Sequence, residues 1–275
     1  MRRASAYAKI NLGLVVGPLR GDGKHEVLTV LQRVDVYDDV VLEPADELTV
    51  EGFAEDTIVR SALESLAAAA RVEPRWRVRI EKHIPVAAGL GGGSSDAATA
   101  LRLANAELSE PLDTCALHGV AASVGADVPF FLCSGAQFAS ADGTELTSVA
   151  LPVDYHVVLV VPHAETKLST ADVYDAFDER SGADGFPDRA AAFHRALESI
   201  THARDLAQLP KNDLASSAIS RELAAAGAFR ADVSGAGPVV YGLFEQARMA
   251  VEAASELAHA GRTIVTWPLH AVDLA

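Results

Sequence analysis

Eight residues, Gly89-Leu90-Gly91-Gly92-Gly93-Ser94-Ser95-Asp96, limit what this chain can fold into more than any other segment, because of what flanks them. Ahead of them, Trp76, Val78 and Ile80 alternate with Arg75, Arg77, Arg79 and Glu81, the period-2 pattern of a half-buried strand. Behind them, Ala97, Leu101, Ala104 and Leu108 repeat at helical spacing. Glycine has no Cβ and tolerates positive φ, so four glycines within five positions let the backbone turn tightly around a ligand. The expected unit is strand, compact turn, helix. Its N–H groups form an anion nest, joined by the free N–H groups and positive dipole end of the helix. Ser94 and Ser95 are placed to cap that helix or to reach a phosphate-bound metal.

Other glycine-rich motifs fit less well. A P-loop ends in Gly-Lys-Ser/Thr, and no lysine stands between Lys82 and Lys167. The dinucleotide fingerprint needs Gly or Ala where Ser94 stands, and it usually opens its domain. A Gly-x-Ser-x-Gly nucleophile elbow is absent from the loop. A plain flexible turn is rarely this compact between a strand and an amphipathic helix.

The rest of the chain reads as interspersed strands and helices without the steady alternation of a doubly wound sheet. Strands are expected at 4–18, 27–42, 155–161, 239–244 and 263–267, and helices at 58–70, 113–124, 168–177, 214–226 and 247–260. Residues 178–190 read as a loop. The reading is α+β, with two domains, 1–150 and 151–275. No apolar run reaches the roughly 18 residues of a membrane helix, and no signal peptide is read at the start, so a cytoplasmic protein is expected. Cys115 and Cys133 read as reduced thiols. The formal net charge of −15 repels polyanions, which argues against nucleic acid as a partner. A small anionic nucleotide needs only a local cluster of N–H groups and a few lysines.

The stretch Pro85-Val86-Ala87-Ala88-Gly89-Leu90-Gly91-Gly92-Gly93-Ser94-Ser95-Asp96-Ala97-Ala98 resembles the central motif of the GHMP kinases, the superfamily of galactokinase, homoserine kinase and mevalonate kinase. Ala8-Lys9-Ile10-Asn11-Leu12, Asp22-Gly23-Lys24-His25-Glu26 and Gly125-Ala126-Asp127-Val128-Pro129-Phe130-Phe131 are similar to stretches of the kinases acting on 4-diphosphocytidyl-2-C-methyl-D-erythritol. Ser234-Gly235-Ala236-Gly237 matches the superfamily's third motif. Five stretches in order, from residue 8 to about 244, span most of the chain. The resemblance implies an N-terminal domain like the second domain of ribosomal protein S5 and a ferredoxin-like C-terminal domain. It also implies ATP-dependent phosphorylation of the 2-hydroxyl of the methylerythritol part, in the non-mevalonate route to isoprenoids. Magnesium is implied with the transferring phosphates, with Ser95 as a candidate contact. A homoserine or mevalonate type of acceptor, or a catalytically silent nucleotide-binding protein, are the alternatives. The partner implied is a small cytidine diphosphate alcohol, and a monomer or weak homodimer is expected.

The resemblance also implies roles. Asp127 by itself reads as a turn aspartate before Val128-Pro129; the family makes it the carboxylate that takes the hydroxyl proton. Lys9, in an apolar strand, either snorkels to solvent or meets a counter-charge; the family sets it beside Asp127. Asn11, two residues on, shares the strand face of Lys9 and is expected to hold the substrate diol. His25 is expected at the cytosine, and Tyr174 is expected to stack on it, where the helix pattern alone would put Tyr174 in the core. Ser234 and Gly235 are further substrate-side candidates. Lys82 is expected near the nucleotide, against a solvated charge at a strand end. Two positions depart from the family. Lys24 stands where it usually has Tyr, so a lysine stem and ammonium would cover the cytosine or meet the diphosphate. Asp56 stands where it often has Asn by the adenine, and cannot donate a hydrogen bond when ionised.

Overall fold

The computed structural model describes residues 1–52, 57–163 and 169–271. Two long antiparallel strands, β1 (Arg2–Leu19) and β2 (His25–Pro44), run side by side for most of their length. The other edge of β2 carries β4 (Trp76–Glu81) along its second half and β5 (Ala136–Ser140) along its first half. The short β3 (Thr49–Glu51) pairs parallel to β4, and β6 (Glu145–Val149) pairs with β5. The alternation in β4 is real: Trp76, Val78 and Ile80 are buried, and the residues between them are exposed. That inner face packs under α1 (Thr57–Ala70), α2 (Gly92–Asn105) and α3 (Thr114–Val124), with Leu63, Leu66, Leu101, Ala104 and Phe130 in one core.

The second sheet has the order β10-β7-β9-β8, built from β7 (His156–Pro162), β8 (Arg230–Val233), β9 (Val240–Phe244) and β10 (Gly261–Thr266), all antiparallel. Numbered within this half the order is 4-1-3-2, that of a ferredoxin-like sheet. Its strands are apolar on both faces for a physical reason. Val158 and Val160 pack under α6 (Ala218–Ala225) and α7 (Ala247–Glu256). Val157 and Leu159 face the other way, into a core shared with Ala8, Ile10, Leu12 and Val30 of the first sheet. The chain then returns to the first sheet: Leu269 N–H donates to the Arg33 carbonyl, and Asp35 N–H to that of Trp267, each at 3.0 Å.

Several sequence expectations are corrected. Leu108 lies beyond the end of α2. The region 178–190 is not all loop, because α5 (Phe186–Glu198) starts inside it, with Pro187 in its first turn where a missing N–H costs nothing. The helix expected at 214–226 is only α6, preceded by an irregular strap whose Asn212 and Asp213 side chains bond the backbone. The helix α4 (Thr170–Glu179) starts at a Ser169/Asp172 capping box; Leu168 lies outside the described residues. Strands β3, β5, β6 and β8 have no counterpart in the sequence reading.

Candidate active site

The glycine segment is where the two halves meet. Gly91 has φ 71° and serves as the N-cap of α2, so Gly92 and Gly93 form the helix's first turn. Ser95 N–H already donates to the Gly91 carbonyl at 2.8 Å. The N–H groups of Gly92, Gly93 and Ser94 are then those that helix geometry leaves without an intrahelical partner. No side chain caps this end, which corrects the capping expected of Ser94 and Ser95. Ser94 faces the adjoining cleft, whereas Ser95 is 1% exposed and does not line it. Ser95, the residue expected at the magnesium, is thus buried in this structure and not part of the cleft lining.

Two glycines are dictated by close approach. A Cβ on Gly89 (φ 80°) would stand 2.2 Å from the Ser234 carbonyl oxygen. A Cβ on Gly91 would meet Phe131 at 2.9 Å and the Lys9 stem at 3.0 Å. The loop is pinned on both sides: Lys9 N–H donates to the Leu90 carbonyl at 2.9 Å and Val239 N–H to the Ala88 carbonyl at 3.1 Å. Ala88 and Leu90 are core residues, Pro85 is half-buried, Val86 is exposed, and Ala87 lines the cleft. The Ser234 hydroxyl donates to the Gly89 carbonyl at 2.9 Å and accepts from Asn11 N–H at 3.4 Å. Ser234 is fully buried, so it is a strut between β1 and the loop; Gly235 lines the cleft.

Lys9 and Asn11 share a strand face, as the period of two requires. The Lys9 ammonium donates to Asn11 Oδ1 at 2.7 Å and lies 3.3 Å from Asp127 Oδ2. The lysine is 3% exposed, so the counter-charge is what makes its burial tolerable. Asp127 sits in the turn closed by Val128 N–H to the Gly125 carbonyl, directly after α3. Its side chain is 39% exposed, open enough to meet a ligand.

Lys82 is neither solvated nor free. Its ammonium stands 2.5 Å from Asp38 Oδ2 and 2.6 Å from Asp96 Oδ2, both carboxylates fully buried. Asp38 also accepts N–H bonds from His83 and Ile84. Burial pulls the Lys82 ammonium down, and the charges of Asp96 and Asp38 outweigh it, leaving it above its usual value. This triad ties the end of β4 to the first turns of α2, so Lys82 holds the glycine loop from behind.

At the other end of the cleft Tyr174 comes down from α4, over His25 at the start of β2, with ring centroids 5.0 Å apart. Burial, with the Asp127 charge adding to it, pushes the Tyr174 hydroxyl up to about 12. His25 is sandwiched between Tyr174 and Phe177 and bonds Asp178 at 2.9 Å through Nε2. It does not line the cleft, whereas Tyr174 does. Lys24 also stands outside the lining and reaches Asp142 at 2.5 Å, and Asp142 is at the cleft wall. Partial burial would raise the Asp142 carboxyl, but hydrogen bonds from Lys24 and Thr144 bring it down to about 2. Asp56 lies outside the described residues.

The cleft encloses about 400 Å³, within the range of ligand sites. One end is glycine backbone and a helix N-terminus, the centre is the Lys9–Asp127 pair, and the far end is Tyr174 with Leu14 and Leu214. Such a site can hold a phosphate chain, take a proton from an alcohol and stabilise the charge that moves between them. Sequence reasoning missed Thr29, Asp38, Asp142 and Asn212. Asp38 had a signal, an acid in the even register that Val34, Val36, Val40 and Leu42 otherwise keep apolar. The others depend on which elements meet in space.

Residues 57–135 match the family model described as the GHMP kinases N terminal domain. A 4-diphosphocytidyl-2-C-methyl-D-erythritol kinase of Rhodococcus jostii (strain RHA1) is 39% identical, over 93% of this chain and 88% of its own length. One of Chlorobium phaeobacteroides (strain BS1) is 35% identical, over 90% and 91%. A crystal structure of a 4-(cytidine 5'-diphospho)-2C-methyl-D-erythritol kinase superposes with a TM-score of 0.77 at 29% identity, over 97% of this chain and 99% of that one. A mevalonate kinase superposes at 0.75 with 13% identity, over 98% and 100%, a likeness of fold alone.

Proposed function

Since the chain belongs to the 4-diphosphocytidyl-2-C-methyl-D-erythritol kinases, within the GHMP kinases, we propose that it transfers the γ-phosphoryl group of ATP to the 2-hydroxyl of 4-diphosphocytidyl-2-C-methyl-D-erythritol, in the non-mevalonate route to isoprenoid precursors. The observation that carries the reading is the buried Lys9 ammonium 3.3 Å from Asp127, at the mouth of a glycine-lined helix N-terminus. We assign the ATP phosphates to the N–H groups of Gly92, Gly93 and Ser94. Pro85 to Gly89 would flank the nucleotide, and Lys82 would act through the loop it braces. The acceptor enters from the Tyr174 end. Asp127 takes the proton of the 2-hydroxyl as its oxygen attacks, and Lys9 stabilises the charge developing between that oxygen and the phosphoryl group. Asn11 lines the cleft; it gives one amide hydrogen to Thr29 and its oxygen to the Lys9 ammonium, so it would orient Lys9 while its second amide hydrogen remains for the substrate diol.

Magnesium fits as a companion of the phosphates, not as an ion in a protein cage. The one three-residue group of ligating side chains among the described residues, Asp39, Glu81 and His83, does not line the cleft. Magnesium bound mostly by phosphates and water needs only a hard oxygen or two from the chain, and Ser94 supplies one. When bound, it would offset charge on the transferring phosphates.

We read 1–150 as the half carrying the nucleotide loop and catalytic pair, and 151–275 as the half adding Tyr174 and the Gly235 loop. Among the described residues no helix is long and apolar enough to cross a membrane. The proposed setting is the cytoplasm, with a small-molecule substrate, no nucleic-acid partner, and a monomer or weak homodimer. The test is ATP-dependent ADP release over a panel of alcohols. Turnover of the cytidyl ester is expected; turnover of homoserine or mevalonate, with none of the ester, would overturn the reading.

A further inference from the structure

The Lys9–Asn11 hydrogen bond depends on which way round the Asn11 amide sits, and a residue on the neighbouring strand decides this. The Thr29 hydroxyl lies 2.7 Å from the Gly13 carbonyl oxygen. A carbonyl only accepts, so the single hydroxyl hydrogen is spent there. Toward Asn11, 2.9 Å away, the Thr29 oxygen can then only accept, and the atom facing it must be Nδ2. That leaves Oδ1 for the Lys9 ammonium, which only donates. The reversed amide would set NH2 against ammonium and oxygen against an oxygen with no hydrogen to give.

The arrangement is built by an irregularity in the sheet. The register of β1 on β2 shifts between Asn11, opposite Leu31, and Gly13, opposite Val30. Such bulges re-aim side chains next to functional sites. All three groups are out of bulk water: Lys9 is 3% exposed, Thr29 4% and Asn11 6%. All three also line the cleft, so with substrate bound a misdirected amide has little water to turn to.

We propose that Thr29 is a positioning residue for phosphoryl transfer: its hydroxyl sets the Asn11 amide so that Oδ1 holds the Lys9 ammonium beside Asp127. The inference rests on the kinase reading above. Thr29→Val keeps the shape and removes only the hydroxyl. The Asn11 amide is then free to reverse, and Lys9 loses an oriented acceptor next to the reacting oxygens. A hydrogen bond to a charged group is worth about tenfold to a hundredfold in rate when it serves the transition state. Thr29 touches neither the glycine loop nor the ATP phosphates in this assignment, so KM for ATP should stay within about twofold.

The experiment compares wild type with Thr29→Val, Thr29→Ser and Asp127→Asn, measuring kcat, KM for ATP and thermal midpoint with the cytidyl substrate. The expected result is a kcat loss of about tenfold or more in Thr29→Val, recovered for the most part by Thr29→Ser. Should Thr29→Val fail to fold, Thr29→Ala read against Thr29→Ser makes the same comparison. A kcat within twofold of wild type in Thr29→Val, or equal damage in Thr29→Ser, would overturn the inference. Near-normal turnover in Asp127→Asn would instead overturn the catalytic reading on which it stands, so the two failures are told apart.

Discussion

Replacing Lys82 by Met keeps most of the aliphatic stem and removes the ammonium that pairs with two fully buried carboxylates, Asp38 and Asp96. The triad carries a net charge of −1; without the ammonium it carries −2, in a site shielded from water. Breaking a buried ion pair on one side costs about 3–5 kcal/mol. Asp38 keeps the N–H bonds of His83 and Ile84, which points to the lower half of that range. Against a total stability of about 5–15 kcal/mol this is a large fraction. At about 2–4 °C per kcal/mol for a chain near this size, the thermal midpoint should drop by roughly 6–16 °C. Adding Asp96→Asn returns the net charge to −1 and should recover about 1–3 kcal/mol. Urea denaturation of wild type, Lys82→Met and the double variant measures both numbers. A single variant within about 1 kcal/mol of wild type, or a double variant as unstable as the two changes summed, would refute the argument. A large loss of ATP affinity at unchanged stability would instead make Lys82 a direct nucleotide contact.

Three further outcomes follow from the same geometry. Asp127→Asn should abolish turnover while ATP still binds by calorimetry; near-normal turnover contradicts the role of that carboxylate. Gly89→Ala places a Cβ 2.2 Å from the Ser234 carbonyl at φ 80°, so it should cost on the order of 2–4 kcal/mol and weaken ATP binding, whereas Gly93→Ala, whose Cβ has no neighbour nearer than 4.0 Å, should cost much less stability. The Asp142 carboxyl sits lower in the fold than in the unfolded chain, so the Lys24–Asp142 pair contributes stability above about pH 4 and loses it as pH falls through about 2. Half-exposed Lys24 limits that contribution to about 1 kcal/mol or less, and Asp142→Asn should flatten the acid limb of stability by no more than this; no change at all would mean the pair is idle.

The parts of the site that lie within one element were legible in the sequence. Lys9 and Asn11 declare a shared face by spacing, and the Gly89 to Gly93 run declares a tight turn by composition. What the sequence obscured is where elements cross. Ser94 and Ser95 looked equivalent, and only the helix starting at Gly92 turns one to the cleft and buries the other. His25 looked like a free loop side chain because Asp178, its partner, is far along the chain. Lys82 looked like a strand-end charge because Asp38 and Asp96 reach it from β2 and α2. The short strands β3, β5, β6 and β8 escaped notice because three to five residues carry too little periodicity, and their pairing partners, not their own pattern, make them strands.

The central claim is that the Lys9–Asp127 pair delivers phosphate from the glycine loop to one hydroxyl. Phosphorus and carbon NMR of the product formed from ATP and 4-diphosphocytidyl-2-C-methyl-D-erythritol tests it most directly. A new phosphate resonance coupled to the carbon bearing the 2-hydroxyl, formed by the native enzyme and missing with Asp127→Asn, is the predicted result. A phosphate on another oxygen, or the same product from Asp127→Asn at a similar rate, would contradict it.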